Sequence, residues 1–259
     1  MAQKSIEKAE SYDLLSRIGK KVLRPGGKKL SLQMLRLLDI SEADTVIEFA
    51  PGIGLTATYT LQKHPKQYIG LDKDARNIKN LRQKFNSPQV SFLLTDVAKP
   101  VLPSNYASKV YGEAMLTMYA DHKKLEIIAE AKRILQTGGL YAIHELAIEK
   151  QNLSDKALAA LNKELAQVSH VNARPLGITE WQQLLQQEGF KIVALQTSEM
   201  LLLEPKRLLA DEGLLNLIKI FFRIICNQQI RKRVIALKKA FRKHRKHLKA
   251  LVIIAQKLD

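Results

Sequence analysis

Along this chain, short β-prone apolar runs alternate with stretches whose apolar residues recur at helical spacing. The run from Thr45 to Glu48, then Gln67–Asp72, Val90–Asp96, Ser108–Met115, Leu140–Leu146, Lys191–Gln196 and Leu248–Ala255 read as seven strands. Between them, 55–62, a segment from about Ala75, 121–135, Ser154–Ser169 and a stretch starting at Thr179 carry the helical period. Leu30–Leu38 forms a further helix before the first strand. Asp121 is the expected cap of the 121–135 helix, Gly138 and Gly139 its stop, and Gly189 the C-cap of the helix after Thr179. Alternating strands and helices predict a parallel sheet covered by helices on both faces.

The segment 199–246, between the sixth and seventh strands, departs from this rhythm. It is helical in pattern and begins with the very apolar stretch 213–225. A basic stretch follows, from Arg231 to Lys246. Fourteen Lys and Arg fall within 206–249 against two acids, Asp211 and Glu212, so most of the chain's net charge of +17 sits here. An apolar helix beside a polybasic one suits a lid over an apolar substrate, an anionic membrane surface or nucleic acid. A docked helix pair with a solvated basic face is the plainer reading. RNA is less favoured, because Phe241 is the one aromatic in the basic stretch and stacking platforms need more. The expected organisation is a single domain: a helical cap over 1–40, a core over 41–198, the basic helical insertion 199–246 and a last strand in 247–259.

A chain of 259 residues can bury a sizeable core. Its one cysteine, Cys226, excludes an internal disulfide, and no Cys/His spacing suggests zinc, so no metal is expected. The first residues lack the apolar core of a signal peptide, and no apolar run is long enough to span a bilayer. A cytoplasmic protein, at most peripheral to a membrane, is expected.

The candidate chemistry gathers at strand ends. Glu48 closes the first apolar run, and the turn Pro51-Gly52-Ile53-Gly54 follows before the helix at Leu55. The two glycines permit a tight turn and close backbone approach to a ligand. A carboxylate just before that turn would repel a pyrophosphate but tolerates a cationic cofactor. Asp72 ends the second run, where an acid can accept from both hydroxyls of a ribose, and Asp96 ends the third. Asp72 could instead cap the helix near Ala75, a role also open to Asp74. Gly52-Ile53-Gly54-Leu55-Thr56-Ala57 also matches G-x-G-x-x-A, which keeps a nicotinamide or flavin oxidoreductase open as an alternative.

With these residues in place the chain resembles the class I S-adenosylmethionine-dependent methyltransferases. It is most similar to the small-molecule group that includes ubiquinone and menaquinone C-methyltransferases. The resemblance implies a Rossmann-like, seven-stranded, mostly parallel sheet whose last strand inserts antiparallel. The family's first loop reads (D/E)-x-G-x-G-x-G; here Ala50 replaces the first glycine, which a backbone of negative φ would accommodate. By resemblance, Glu48 lies near the methionyl ammonium, Gly52 passes the adenosine, Asp72 binds the ribose, and Asp96 with Val97 binds the adenine. Glu113 and Ala114 face the methionine moiety, and Ala50, Gly54 and Lys73 complete the implied cofactor set.

In-line methyl transfer mainly requires alignment, which can contribute roughly 7 to 11 kcal/mol. A base is needed only if the acceptor must lose a proton. The candidates are His144, Tyr119 and His170, with Tyr12, Glu145 and Arg174 as substrate contacts and Asn172 beside them. His144 reads more readily as a hydrogen-bonded strand-end residue than as a base, His170 and Arg174 read also as loop supports, and Trp181 reads as core rather than a substrate platform. The turn around Lys20–Lys29 leads into the Leu30–Leu38 helix, and its cations could meet an anionic substrate. The expected partners are a small-molecule acceptor, enclosed by the N-terminal segment, the His170 loop and the 213–225 helix, and weakly an anionic membrane surface. An RNA methyltransferase acting through 206–249, and a methyltransferase-like binding module without activity, are the other readings.

Overall fold

The computed structural model describes residues 6–151, 153–171 and 173–259; Asn172 lies outside the described residues. The elements run α1 (Ser11–Arg17), α2 (Gly27–Leu38), β1 (Thr45–Phe49), α3 (Leu55–Leu61), β2 (Gln67–Asp72), α4 (Ala75–Lys84), β3 (Val90–Leu94) and β4 (Ala107–Glu113). A 3-10 turn (Leu116–Met118) leads into α5 (Asp121–Ile134), β5 (Leu135–Ile148), α6 (Asp155–Ser169), the short β6 (Leu176–Gly177), α7 (Ile178–Gln187) and β7 (Phe190–Glu199). Then come α8 (Pro205–Glu212), α9 (Leu214–Cys226), α10 (Gln228–Lys243) and β8 (Leu248–Lys257). The strands form one sheet in the order β3-β2-β1-β4-β5-β8-β7, with β6 beside β5. Only β8 runs antiparallel, to β5 on one side and β7 on the other.

The period-2 pattern explains both layers. Ile47, Phe49, Val110 and Ile143 point to one face, where Ile127 and Ile134 of α5 and Trp181 of α7 cover them. Val46, Tyr68, Tyr111 and Ala142 point to the other, under Met34 of α2, Ala57 of α3 and Leu81 of α4. Trp181 is fully buried and donates Nε1–H to Leu146 O at 3.1 Å, so it is core. A third core joins Leu14 of α1, Leu161 and Leu165 of α6, Ile220 of α9 and Val234 and Leu237 of α10.

Two local readings are corrected. α5 ends at Ile134, before the Gly138-Gly139 pair, and Leu135 is already extended and paired with Ala107. The next pairing on β4 is Lys109 with Leu140, so the glycines lie within an irregularity of the ladder. Asp121 is the first residue of α5, and its carboxylate takes Lys124 Nζ at 2.6 Å; the capping position is Ala120, with no side-chain bond.

The two acids of the 206–249 segment turn inward. Glu212, at the end of α8, accepts from Lys21 N and Val22 N, both at 2.9 Å, and from the buried Lys20 Nζ at 3.4 Å. Asp211 accepts from Lys28 N at 2.9 Å and lies so close to Gly27 that a Cβ there would sit 2.5 Å from its Oδ2. The chain from Lys20 to Lys28 is thus clamped to α8.

Candidate functional site

A cavity of about 490 Å³ opens at the carboxyl ends of β1, β2 and β4. Its floor is the turn after β1, from Ala50 to Ile53. Glu48, Asp72, Lys73, Glu113 and Ala114 form the sides, and Tyr12, Lys21, Leu23 and Arg24 reach it from the N-terminal segment. Tyr119 and His170 also line it.

Each floor residue is held by a definite contact. Gly52 has φ +56°, and a Cβ there would meet nothing within 4 Å, so its backbone is bare to the cavity. Gly54 plays a different part and lies outside the lining: at φ +71° it starts α3, and a Cβ would sit 2.4 Å from Leu81 of α4. Asp72 accepts from Gly52 N at 3.2 Å, Asn77 Nδ2 at 3.1 Å and Asp74 N at 2.9 Å. Asp74 caps α4 through Arg76 N. Ala50 has φ +54° and Ala114 φ +53°. The negative φ that would accommodate Ala50 is therefore not found, and an L-residue occupies the left-handed conformation that the family's glycine would take freely.

Two buried acids on neighbouring strands are shifted in opposite directions. Glu48 is held by the hydroxyls of Tyr68 and Tyr111, the latter at 2.7 Å. Burial raises its carboxyl to about 7, beyond what those hydrogen bonds offset, and the nearby Glu113 adds to the rise. Burial also acts to raise Glu113, but the Arg24 guanidinium and the hydrogen bonds from His144 and Ser31 outweigh it and hold the carboxyl well below the ordinary range. Arg24 also donates to Thr56, which donates to Glu113.

Several candidates are spent elsewhere. His144 is fully buried, with Nδ1 2.7 Å from Glu113 Oε2 and Nε2 2.6 Å from Pro25 O. Both ring nitrogens face acceptors, so neither is free to take a proton from a substrate. Glu145, also fully buried, accepts from Met115 N, Leu116 N, Thr117 N and the Thr117 hydroxyl, and so fastens the 3-10 turn. Arg174 faces a separate cavity beside Asn162 and Glu180. Its N–H donates to Thr117 O at 2.7 Å and its carbonyl takes Lys124 Nζ. Asp96 stands beyond the end of β3, where it accepts from Ala98 N at 2.9 Å and pairs with Lys123 at 3.6 Å; neither it nor Val97 is in the lining. No residue of α9 lines the cavity either. α9 stands one layer behind, where Asn216 Nδ2 donates to Gly19 O at 2.9 Å.

The structure does bring together Glu48, Ala50, Gly52, Asp72, Lys73, Glu113, Ala114, Tyr12, Tyr119 and His170. Lys73 Nζ lies 3.2 Å from Tyr119 Oη and over its ring. His170 ends α6 in the left-handed conformation, and burial together with the Arg233 charge lowers its pKa. Sequence reasoning offered Arg24 only as one of the Lys20–Lys29 cations that could meet an anionic substrate, not as a partner of Glu113. The one available signal was a cation directly before the Pro25-Gly26-Gly27 turn.

Five acidic side chains (Glu10, Glu48, Asp72, Asp74 and Glu113) line the cavity against three basic ones, Lys21, Arg24 and Lys73, so that even with Glu48 half-protonated near neutral pH the acids outnumber the cations. That balance fits a ligand carrying a sulfonium and an ammonium and opposes a pyrophosphate. Residues 46–139 match the family model described as a methyltransferase domain. An uncharacterized protein of Haemophilus influenzae is 29% identical over 216 residues, 81% of this chain and 83% of that protein. Ribosomal RNA small subunit methyltransferase A of Hydrogenobaculum is 35% identical over 96 residues, 36% of each chain. Among solved structures, Haemonchus contortus phosphoethanolamine N-methyltransferase 2 superposes with a TM-score of 0.72 at 16% identity. The match covers 95% of this chain and 57% of that one, which was solved with phosphomonomethylethanolamine and S-adenosylhomocysteine.

Proposed function

We propose that this chain is a class I S-adenosylmethionine-dependent methyltransferase and that it methylates a small molecule bound in the cavity above β1, β2 and β4. The observation that carries the reading is the single lined space in which the bare Gly52 turn, Asp72, Glu48 and the Arg24–Glu113 pair face one another. In our reading Asp72 accepts from the ribose hydroxyls, and the Gly52 turn lies along the adenosine. Glu48 and Glu113 flank the methionine end, where Arg24 faces its carboxylate. S-adenosylmethionine supplies a methyl carbon already activated by its sulfonium. The chain's own residues orient the acceptor and exclude water.

Tyr119 and His170 are the groups able to touch an acceptor; with His144 enclosed, proton removal, where needed, falls to them. His170 lies on the exposed rim, so Tyr119 with Lys73 beside it is the better placed. A polyanionic acceptor is the second reading, favoured by the name of the Hydrogenobaculum relative and by the basic segment. Its support is narrower, because that likeness spans 96 residues, 36% of this chain.

Calorimetry with S-adenosylmethionine, S-adenosylhomocysteine and NAD tests the cofactor site; micromolar binding of the first two and none of NAD is expected. Incubation with methyl-labelled cofactor and a cell extract split into small-molecule and RNA fractions tests the acceptor. Label in the small-molecule fraction supports the proposal, and label confined to RNA overturns it.

A further inference from the structure

α9 presents an apolar face that nothing in the described structure covers. Leu214, Leu215, Ile218, Phe221, Phe222 and Ile225 are all exposed, Leu215 to 78% and Phe222 to 68%. At 100° per residue they occupy one stripe roughly 120° wide, as an amphipathic helix requires. The opposite side is engaged: Ile220 is buried in the third core, and Asn216 bonds the N-terminal segment. The stripe is therefore the outward face of a docked helix.

The charges carried by α9 and α10 themselves are of one sign; Glu7, from outside both helices, accepts from Gln229 Nε2 at 3.2 Å. Neither α9 nor α10 contains an acidic residue. The two acids at the end of α8 are turned inward, onto Lys20–Lys28. Lys219 lies on α9 at the edge of the stripe, and Arg231 Nη1 donates to Ile225 O at 2.9 Å, which places a guanidinium at its C-terminal end. Lys232 and Lys239 on α10 are exposed and have no carboxylate partner among the described residues. Arg242, Lys243 and Arg245, by contrast, pair with Glu204, Glu164 and Glu199 and are already neutralised.

We propose that the outward face of α9 docks on the surface of an anionic lipid bilayer. The charge pattern selects this occupant. A second copy set face to face would bring two purely cationic segments together, which like-charge repulsion opposes. A nucleic acid would satisfy the cations and leave six aliphatic and aromatic side chains in water. A bilayer surface accepts both, with apolar side chains at the acyl boundary and cations at the headgroups. α9 has 13 residues, about 20 Å of helix, too short for a hydrocarbon core of about 30 Å, so it lies in the surface and does not cross. No helix among the described residues is long and apolar enough to cross. The proposal does not depend on which acceptor is methylated.

Sedimentation with vesicles of equal parts phosphatidylglycerol and phosphatidylcholine, and with phosphatidylcholine alone, tests it. The parent chain should bind the anionic vesicles about tenfold better at low salt and lose most of that preference at high salt. The double variant Leu215→Asp, Phe222→Asp should lose vesicle binding. Both side chains are exposed, so its affinity for S-adenosylhomocysteine should equal the parent's, which separates loss of docking from loss of fold. Lys219→Glu with Lys232→Glu should abolish the preference for anionic over neutral lipid. Equal binding of parent and Asp variant to anionic vesicles overturns the proposal, because the cations alone would then suffice for any polyanion. So does failure to bind anionic vesicles at low salt. A dimer in sedimentation velocity that the Asp variant dissociates, without vesicle binding by the parent, would assign the face to self-association instead.

Discussion

The parallel half of the sheet and the α8–α10 segment use carboxylates in opposite ways. At β1, β2 and β4 the acids stand at strand ends and line the shared cavity: Glu48, Asp72 and Glu113. On α8 the acids Asp211 and Glu212 lie outside the lining of that cavity and fasten a loop nearly two hundred residues earlier in the chain. The first set faces the candidate site, and the second holds the segment that brings Lys21, Leu23 and Arg24 to its lining. A surface rich in cations thus owes its excess partly to the burial of its own acids.

The sharpest way to break this contrast is Glu212→Ala. It strands the buried Lys20 and two backbone amides, Lys21 N and Val22 N, so stability should fall by about 3 to 5 kcal/mol. Urea denaturation measures it; a loss below about 1 kcal/mol would show that the clamp is ornamental.

Glu48 tests the other region through pH. Its carboxyl, at about 7 in the fold, binds a proton more tightly than in the unfolded chain. The folded state therefore holds more protons between the two values, and stability falls as pH rises through that window. The parent should lose on the order of 3 kcal/mol from this group between pH 5 and pH 8. Glu48→Gln should remove that slope, whatever its effect at any single pH. Denaturation midpoints at the two pH values decide it.

Asp72→Ala should weaken S-adenosylhomocysteine binding by roughly 1.5 to 3 kcal/mol. Calorimetry checks it, and unchanged affinity would remove Asp72 from the site. The smallest effect is expected from Ala50→Gly. Relief of the left-handed strain, about 1 to 2 kcal/mol, is partly offset by the entropy glycine loses on folding. A gain of about 0.5 to 1 kcal/mol in thermal unfolding is expected; destabilisation would mean that the methyl group packs productively.

What was legible in the sequence was whatever depends on neighbours in the chain. Period-2 runs gave the strands, and the Gly52/Gly54 turn and the acids closing β1 and β2 marked the cavity. What was hidden depends on distant partners. At the end of an apolar run His144 looks like a base and Glu145 like a substrate contact. Their partners, Glu113 with Pro25 and the amides of 115–117, make them structural. Arg24 is one cation among several until the fold sets it against Glu113. The lining role expected of 213–225 failed because an apolar helix can bury one stripe while leaving another outside.

The position of β8 carries a consequence for how the molecule is made. β7 pairs with no strand except β8, and β8 follows every other element in the chain. During synthesis the strands from β1 to β5 can align while β7 still lacks a neighbour. For that interval the margins of β5 and β7 both present unpaired backbone, the surface on which nascent chains aggregate. Closure of the sheet is then a single late event, and mutations in Leu248–Lys257 should lower soluble yield more than equal losses of stability elsewhere.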